Sequence, residues 1–167
     1  MLYIILITLI VHRLSFFNVE AEQFAPPYWI NMGAVAISTL AGSTLILSAE
    51  KWAFLGSILP FLKGFTLFYW SIGTWWIPLI LLLGAWRHLV RLLPLKYHPQ
   101  YWGMVFPLGM YTTCTLQLAK ALDLNFLKII PSIFIFISIF VWLVVFGGMI
   151  YSIVRSLRNY GIKASVD

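Results

Sequence analysis

The chain has 167 residues, of which 62% are hydrophobic and only 10% charged. A soluble domain carries about 25% charged residues, so a water-facing surface cannot be built from this composition and lipid must be the solvent. The formal net charge of +6 would suit nucleic acid in a soluble protein, but the basic residues here fall between apolar runs, where they set membrane topology, and nucleic acid is excluded as a partner.

At roughly 20 apolar residues per crossing, about five membrane helices fit this length. The expected fold is all-α: residues 1–167 form a single transmembrane domain, a polytopic membrane protein. The first span is placed at about 1–17. It has no basic n-region, and its basic pair, His12-Arg13, lies at the far end, so it reads as a membrane helix and not as a signal peptide. The second span, about 28–48, follows Pro26-Pro27, which are tolerated just ahead of a helix. Within it Ala34, Ser38 and Gly42 recur at four-residue steps. Small residues in such a row let helices approach closely, or leave room for a solute on an inward face. Asn31, Thr39, Ser43 and Thr44 add polar groups. The third span, about 60–86, is long enough to tilt or bend, and Pro78 predicts a kink.

The fourth span, about 101–121, opens with YWGMVFPLGMYTTCT (Tyr101–Thr115). Pro107 has no N–H to donate, which frees the Gly103 carbonyl and bends the helix. Phe106, Met110, Thr113, Gln117 and Lys120 follow at steps of four, three, four and three, and so share one narrow face. Polar side chains are costly toward lipid, so this face should meet the bundle interior or water. A second reading stays open, in which Thr113 and Gln117 bond between helices and Lys120 snorkels to the interface. Phe106 by itself equally reads as a lipid-facing or core ring. The fifth span is about 129–154.

Lys and Arg are split between the two sides. Arg13, Arg87, Arg91, Lys96, Arg155, Arg158 and Lys163 collect on one, and Lys51, Lys63, Lys120 and Lys128 on the other. The richer side is expected to be cytoplasmic, with the N-terminus outside and the C-terminus inside. Localisation in the cell (plasma) membrane is expected.

Few residues suit bond-making chemistry. Cys114 is the only cysteine, so no disulfide within the chain and no thiolate metal site can form. His12, His88 and His98 sit at the basic ends of spans as interface residues, and Glu20, Glu22, Glu50 and Asp123 read as solvated loop residues. There is no HExxH, paired-carboxylate or Ser-His-Asp spacing, so neither an enzyme nor a metal or other cofactor is expected. No acidic residue lies between Asn31 and Ser48 or between Met104 and Gln117. An acidic ring would mark a cation path. Neutral amides and hydroxyls flanked by lysine lean toward anions.

Three stretches together resemble one family: PPYWINMGAVAISTLAG (Pro26–Gly42), GTWWIPL (Gly73–Leu79) and YWGMVFPLGMYTTCT (Tyr101–Thr115). It is the tellurite-resistance/dicarboxylate transporter family, which includes bacterial tellurite-resistance membrane proteins, yeast malate permeases and the plant slow-type anion channels. The resemblance covers nearly the whole chain. It implies the C-terminal half of a ten-helix bundle of hairpins around a central pore, assembled as trimers. It implies movement of small anions, such as C4-dicarboxylates, chloride or nitrate. The Trp102-to-Pro107 step makes Phe106, with Pro107, the match for the phenylalanine that closes the family's pore. The second and fourth spans then line the pore through Asn31, Ser38, Gly42, Gly109, Met110, Thr113 and Gln117. Five spans supply only part of such a wall, so a missing N-terminal half or a split partner is expected beside the anion and the lipid bilayer. The competing expectation is a membrane scaffold or truncated product that transports nothing.

Overall fold

A computed structural model describes residues 2–17, 26–92, 94 and 97–163. The expectations for Glu20, Glu22 and Lys96 lie outside these residues. Six α-helices follow in order: α1 (Leu2–Phe16), α2 (Ile30–Leu47), α3 (Ala53–Ser57), α4 (Leu59–Ala85), α5 (Trp102–Ala121) and α6 (Ile129–Lys163). No strand occurs among the described residues. The protein is all-α, with six helices where five were expected.

The extra helix is the short α3. Trp52 is extended (φ −148°, ψ 115°) and Ile58 leaves helical geometry (φ −101°, ψ 6°), which sets off a five-residue helix in the connection ahead of the third span. Pro60 then sits in the first turn of α4, where a missing N–H costs nothing. Pro78 is accommodated inside α4. A π-helical turn, Trp86–Val90, prolongs α4, and the Arg91 guanidinium caps it 5.2 Å from the Trp86 ring centre. Leu92 follows in the left-handed region, at φ 52°.

Among the described residues, three stretches are long and apolar enough to cross a membrane: Ile30–Leu47, Leu59–Val90 and Asn125–Arg158. The first helix is shorter, at 15 residues. The fifth has 20 residues, but Thr112, Thr113, Thr115, Gln117 and Lys120 make it less apolar. The last helix runs to Lys163, past the expected end at 154: hydropathy falls there, but no proline or turn interrupts the helix.

Contacts fix the relative directions of the helices. Gly42 of α2 meets Thr66 of α4, and Val35 of α2 meets Gly73, so α2 and α4 are antiparallel. Trp70 Nε1 donates to Thr115 Oγ1 at 3.0 Å, and Thr74 and Tyr111 share a 2.8 Å hydroxyl bond, so α4 and α5 are antiparallel too. Hence α2 and α5 run parallel. Helix α6 returns along α5: Leu127 packs with Leu118 and Ala119, Ser138 Oγ lies 3.3 Å from Thr112 Oγ1, and Gly148 meets Tyr97.

The core lies among α2, α4 and α5. It is built from Met32, Ala36, Trp76, Ile80, Leu108, Tyr111 and Cys114, with Ile7 and Ile10 of α1 packed against it. Hydrogen bonds between helices in lipid average about 0.6 kcal/mol and reach about 1.7. Tyr111→Phe and Thr115→Val should therefore each lower stability by about 0.6–1.7 kcal/mol. Unfolding in mixed micelles checks this.

Candidate functional site

Buried and open residues divide each of the two parallel helices into sectors. Around α2, Gly33 touches the Pro107 ring of α5, an added Cβ coming within 3.0 Å of its Cγ, and on another side Val35 and Gly42 touch α4. The remaining sector carries Ile30, Ile37, Ser38, Ala41, Thr44 and Leu45, all exposed, with Asn31 and Ala34 half-buried. Around α5, Pro107 faces α2 and Thr112 faces α6. Its open sector holds Phe106, Thr113, Leu116 and Lys120, exposed, beside half-buried Gly109, Met110 and Gln117. Successive residues turn by about 100° in the same sense on parallel helices. The open sector lies clockwise of the neighbour on one helix and anticlockwise on the other, so both open to the same side of the α2–α5 pair.

Of the residues expected to line a pore, Asn31, Ser38, Gly109, Met110, Thr113 and Gln117 lie on this shared side, and Phe106 with them. Gly42 does not. It is buried, and the position of a Cβ there is already filled by Thr66 Oγ1. Four-residue steps overshoot a full turn by about 40°, so a row that begins at Ala34 on the open side has turned into the α4 contact by Gly42. Thr39 and Ser43 are likewise fully buried. Ala41 and Leu45 were missed. They continue the row from Ala34 and Ser38 at steps of three and four, the spacing that follows a 3.6-residue turn. Pro107, next in sequence to Phe106, is buried in the α2 contact.

The hydroxyls on this face have committed their protons. Ser38 donates to the Ala34 carbonyl at 3.2 Å, Thr44 to Leu40 at 2.9 Å and Thr113 to Gly109 at 3.1 Å. They present oxygen lone pairs outward. The side-chain donors left on the open face are the amides of Asn31 and Gln117 and the ammonium of Lys120. Beside the face, a cavity of about 320 Å³ opens between α5 and α6, bordered by Gly109, Thr112, Thr113, Ser138 and Trp142. Among the described residues no three His, Cys, Asp or Glu side chains gather as a metal site.

The chain is similar to proteins of known sequence along most of its length. An uncharacterized membrane protein of Mycobacterium tuberculosis is 32% identical over 161 residues, covering 96% of this chain and 81% of its own. An uncharacterized transporter of Methanocaldococcus jannaschii is 26% identical over 143 residues, 86% of this chain but only 40% of its own length. A second transporter of that archaeon is 25% identical over 141 residues, 84% of this chain and 39% of its own length. No solved structure matches. Membrane and transporter relatives, together with three helices fit to cross a bilayer, identify an integral membrane protein. The sequence pattern of the voltage-dependent anion channel family matches residues 1–150, and the chain belongs to that family.

Proposed function

We propose that the shared open side of α2 and α5 is part of the wall of a pore for small anions, C4-dicarboxylates such as malate or inorganic anions. The observation that carries this reading is an open face shared by α2 and α5 that sets Asn31, Ser38, Thr44, Thr113, Gln117 and Lys120 among apolar residues and holds no acidic residue. Phe106 stands at its basic-side end and Lys120 at the other. With the hydroxyl protons bound to backbone, Asn31, Gln117 and Lys120 supply the donors that an anion needs, and Phe106 is the ring that closes the path. We place the chain as the C-terminal half of the ten-helix fold, the rest of the wall coming from an N-terminal half or a split partner. Trimers belong to the same proposal, as does a cytoplasmic C-terminus in the plasma membrane.

Cysteine labelling tests whether water reaches the face. Cys114 is fully buried and is the only native thiol, so the parent protein is silent to a charged thiosulfonate. In native membranes, Thr113→Cys and Gln117→Cys should react with an anionic reagent at rates near that of an exposed Lys51→Cys control. If only the control reacts, the face lies in lipid and the non-transporting reading takes its place. In a conducting assembly, Gln117→Glu should lower anion flux at least about tenfold, equivalent to about 1.4 kcal/mol. Thr113→Val, which removes a hydroxyl already bonded to backbone, should change flux less than about twofold.

A further inference from the structure

A second cavity, unrelated to the open face, lies between the start of α5 and the latter half of α6. Its volume is about 410 Å³, within the range of small-molecule sites. One wall is Tyr97, Tyr101 and Met104; the other is Phe140, Val141, Val144, Val145 and Gly148 of α6. Apart from two tyrosine hydroxyls the lining is hydrocarbon. Phe140 and Val144 are 67% and 57% exposed, so the cavity opens sideways on the outer surface of the apolar stretch Asn125–Arg158, the surface a bilayer would cover. Gly148 shapes it: a Cβ there would come within 2.8 Å of the Tyr97 ring, so glycine lets that ring lie against α6 and roof one end.

The charge beyond its Gly148 end is positive. Counting about 100° per residue, Val141, Val144, Gly148 and Arg155 share one face of α6. Arg155 is exposed, two turns beyond Gly148, or about 10 Å along the axis. This end of the bundle also carries Arg158 on α6 and His98 before α5, both exposed. An apolar slot open to lipid, with a guanidinium about 10 Å from its end, matches an acyl chain joined to a phosphate headgroup.

We propose that this cavity seats one acyl chain of an anionic phospholipid, whose headgroup phosphate is held by Arg155. The purified chain is delipidated, incubated with palmitoyl-oleoyl phosphatidylglycerol or phosphatidylcholine, and examined by native mass spectrometry. Phosphatidylglycerol should bind about tenfold more tightly. Arg155→Ala should remove that preference, and Val144→Trp, which fills the mouth from a position already exposed, should lower retention of both lipids several-fold. Thermal unfolding of each variant, unchanged without lipid, separates lost binding from lost fold, and Ile153→Trp, away from this face, is the bulk control for Val144→Trp. Equal retention of the two lipids by the parent chain overturns the proposal. So does undiminished phosphatidylglycerol binding in Arg155→Ala, or in Val144→Trp, which would mean an annular lipid without a seat.

Discussion

Replacing Phe106 with alanine should raise anion flux through the assembled channel at least about tenfold, equivalent to lowering its barrier by about 1.4 kcal/mol. The ring is 54% exposed and belongs to neither buried cluster. Its backbone is nevertheless fixed, because the next residue, Pro107, is locked against Gly33 with an added Cβ only 3.0 Å from the proline ring. A ring with free edges on a fixed stem suits a hydrophobic constriction, which blocks ions by excluding water. Truncation removes that constriction and takes nothing from the core, so the variant should keep its melting temperature. Phe106→Leu preserves apolar bulk and should stay nearly as closed as the parent. The measurement is anion current or malate uptake with the chain co-expressed beside a matching N-terminal half. Unchanged flux in Phe106→Ala, in an assembly that conducts, removes the ring from the gate.

The second large effect is on assembly. Gly42→Leu should destabilise the bundle by about 1–3 kcal/mol or more, the range for overpacking a filled site. Thr66 Oγ1 already occupies the Cβ position, and it cannot easily swing aside because it is buried and donates to the Leu62 carbonyl at 2.7 Å. The helices α2 and α4 must then separate. Gly109 is the control, since nothing lies within 4 Å of a Cβ built there. Gly109→Ala should be neutral or raise stability by up to about 1 kcal/mol, through the helix preference for alanine. Melting of the two variants in one detergent gives opposite shifts. Equal shifts would mean that the close α2–α4 contact at Gly42 carries no weight.

Much of the candidate site was legible because helical spacing is rigid. The steps of four, three, four and three from Phe106 to Lys120 stay on one face, and Phe106, Met110, Thr113 and Gln117 do lie on the open sector of α5. The uniform steps of four in α2 carried Gly42 across to α4, an error that the same geometry explains. The direction of the hydroxyl protons was not legible. A threonine in a helix can point its proton at the backbone or outward, and only the folded chain shows Ser38, Thr44 and Thr113 all bonding inward. A short helix and one helix limit were missed for a related reason: hydropathy marks where lipid ends, not where helix ends. Ala53–Ser57 turn helical in the short connection ahead of the third span, whereas α6 continues through charged residues.

That continuation has a mechanical consequence. At about 1.5 Å per residue α6 is a rod about 52 Å long, against a hydrocarbon layer of about 30 Å. Even at a steep tilt of about 40° its apolar part, to Val154, fills that thickness. The last nine residues then project as a mast about 13 Å tall beyond the hydrocarbon layer, with Arg155 and Arg158 exposed at its foot. A change in the tilt of α6 against α5 is magnified at the tip, so a spin label near the end of the mast would report motions in the bundle that displace the buried turns much less.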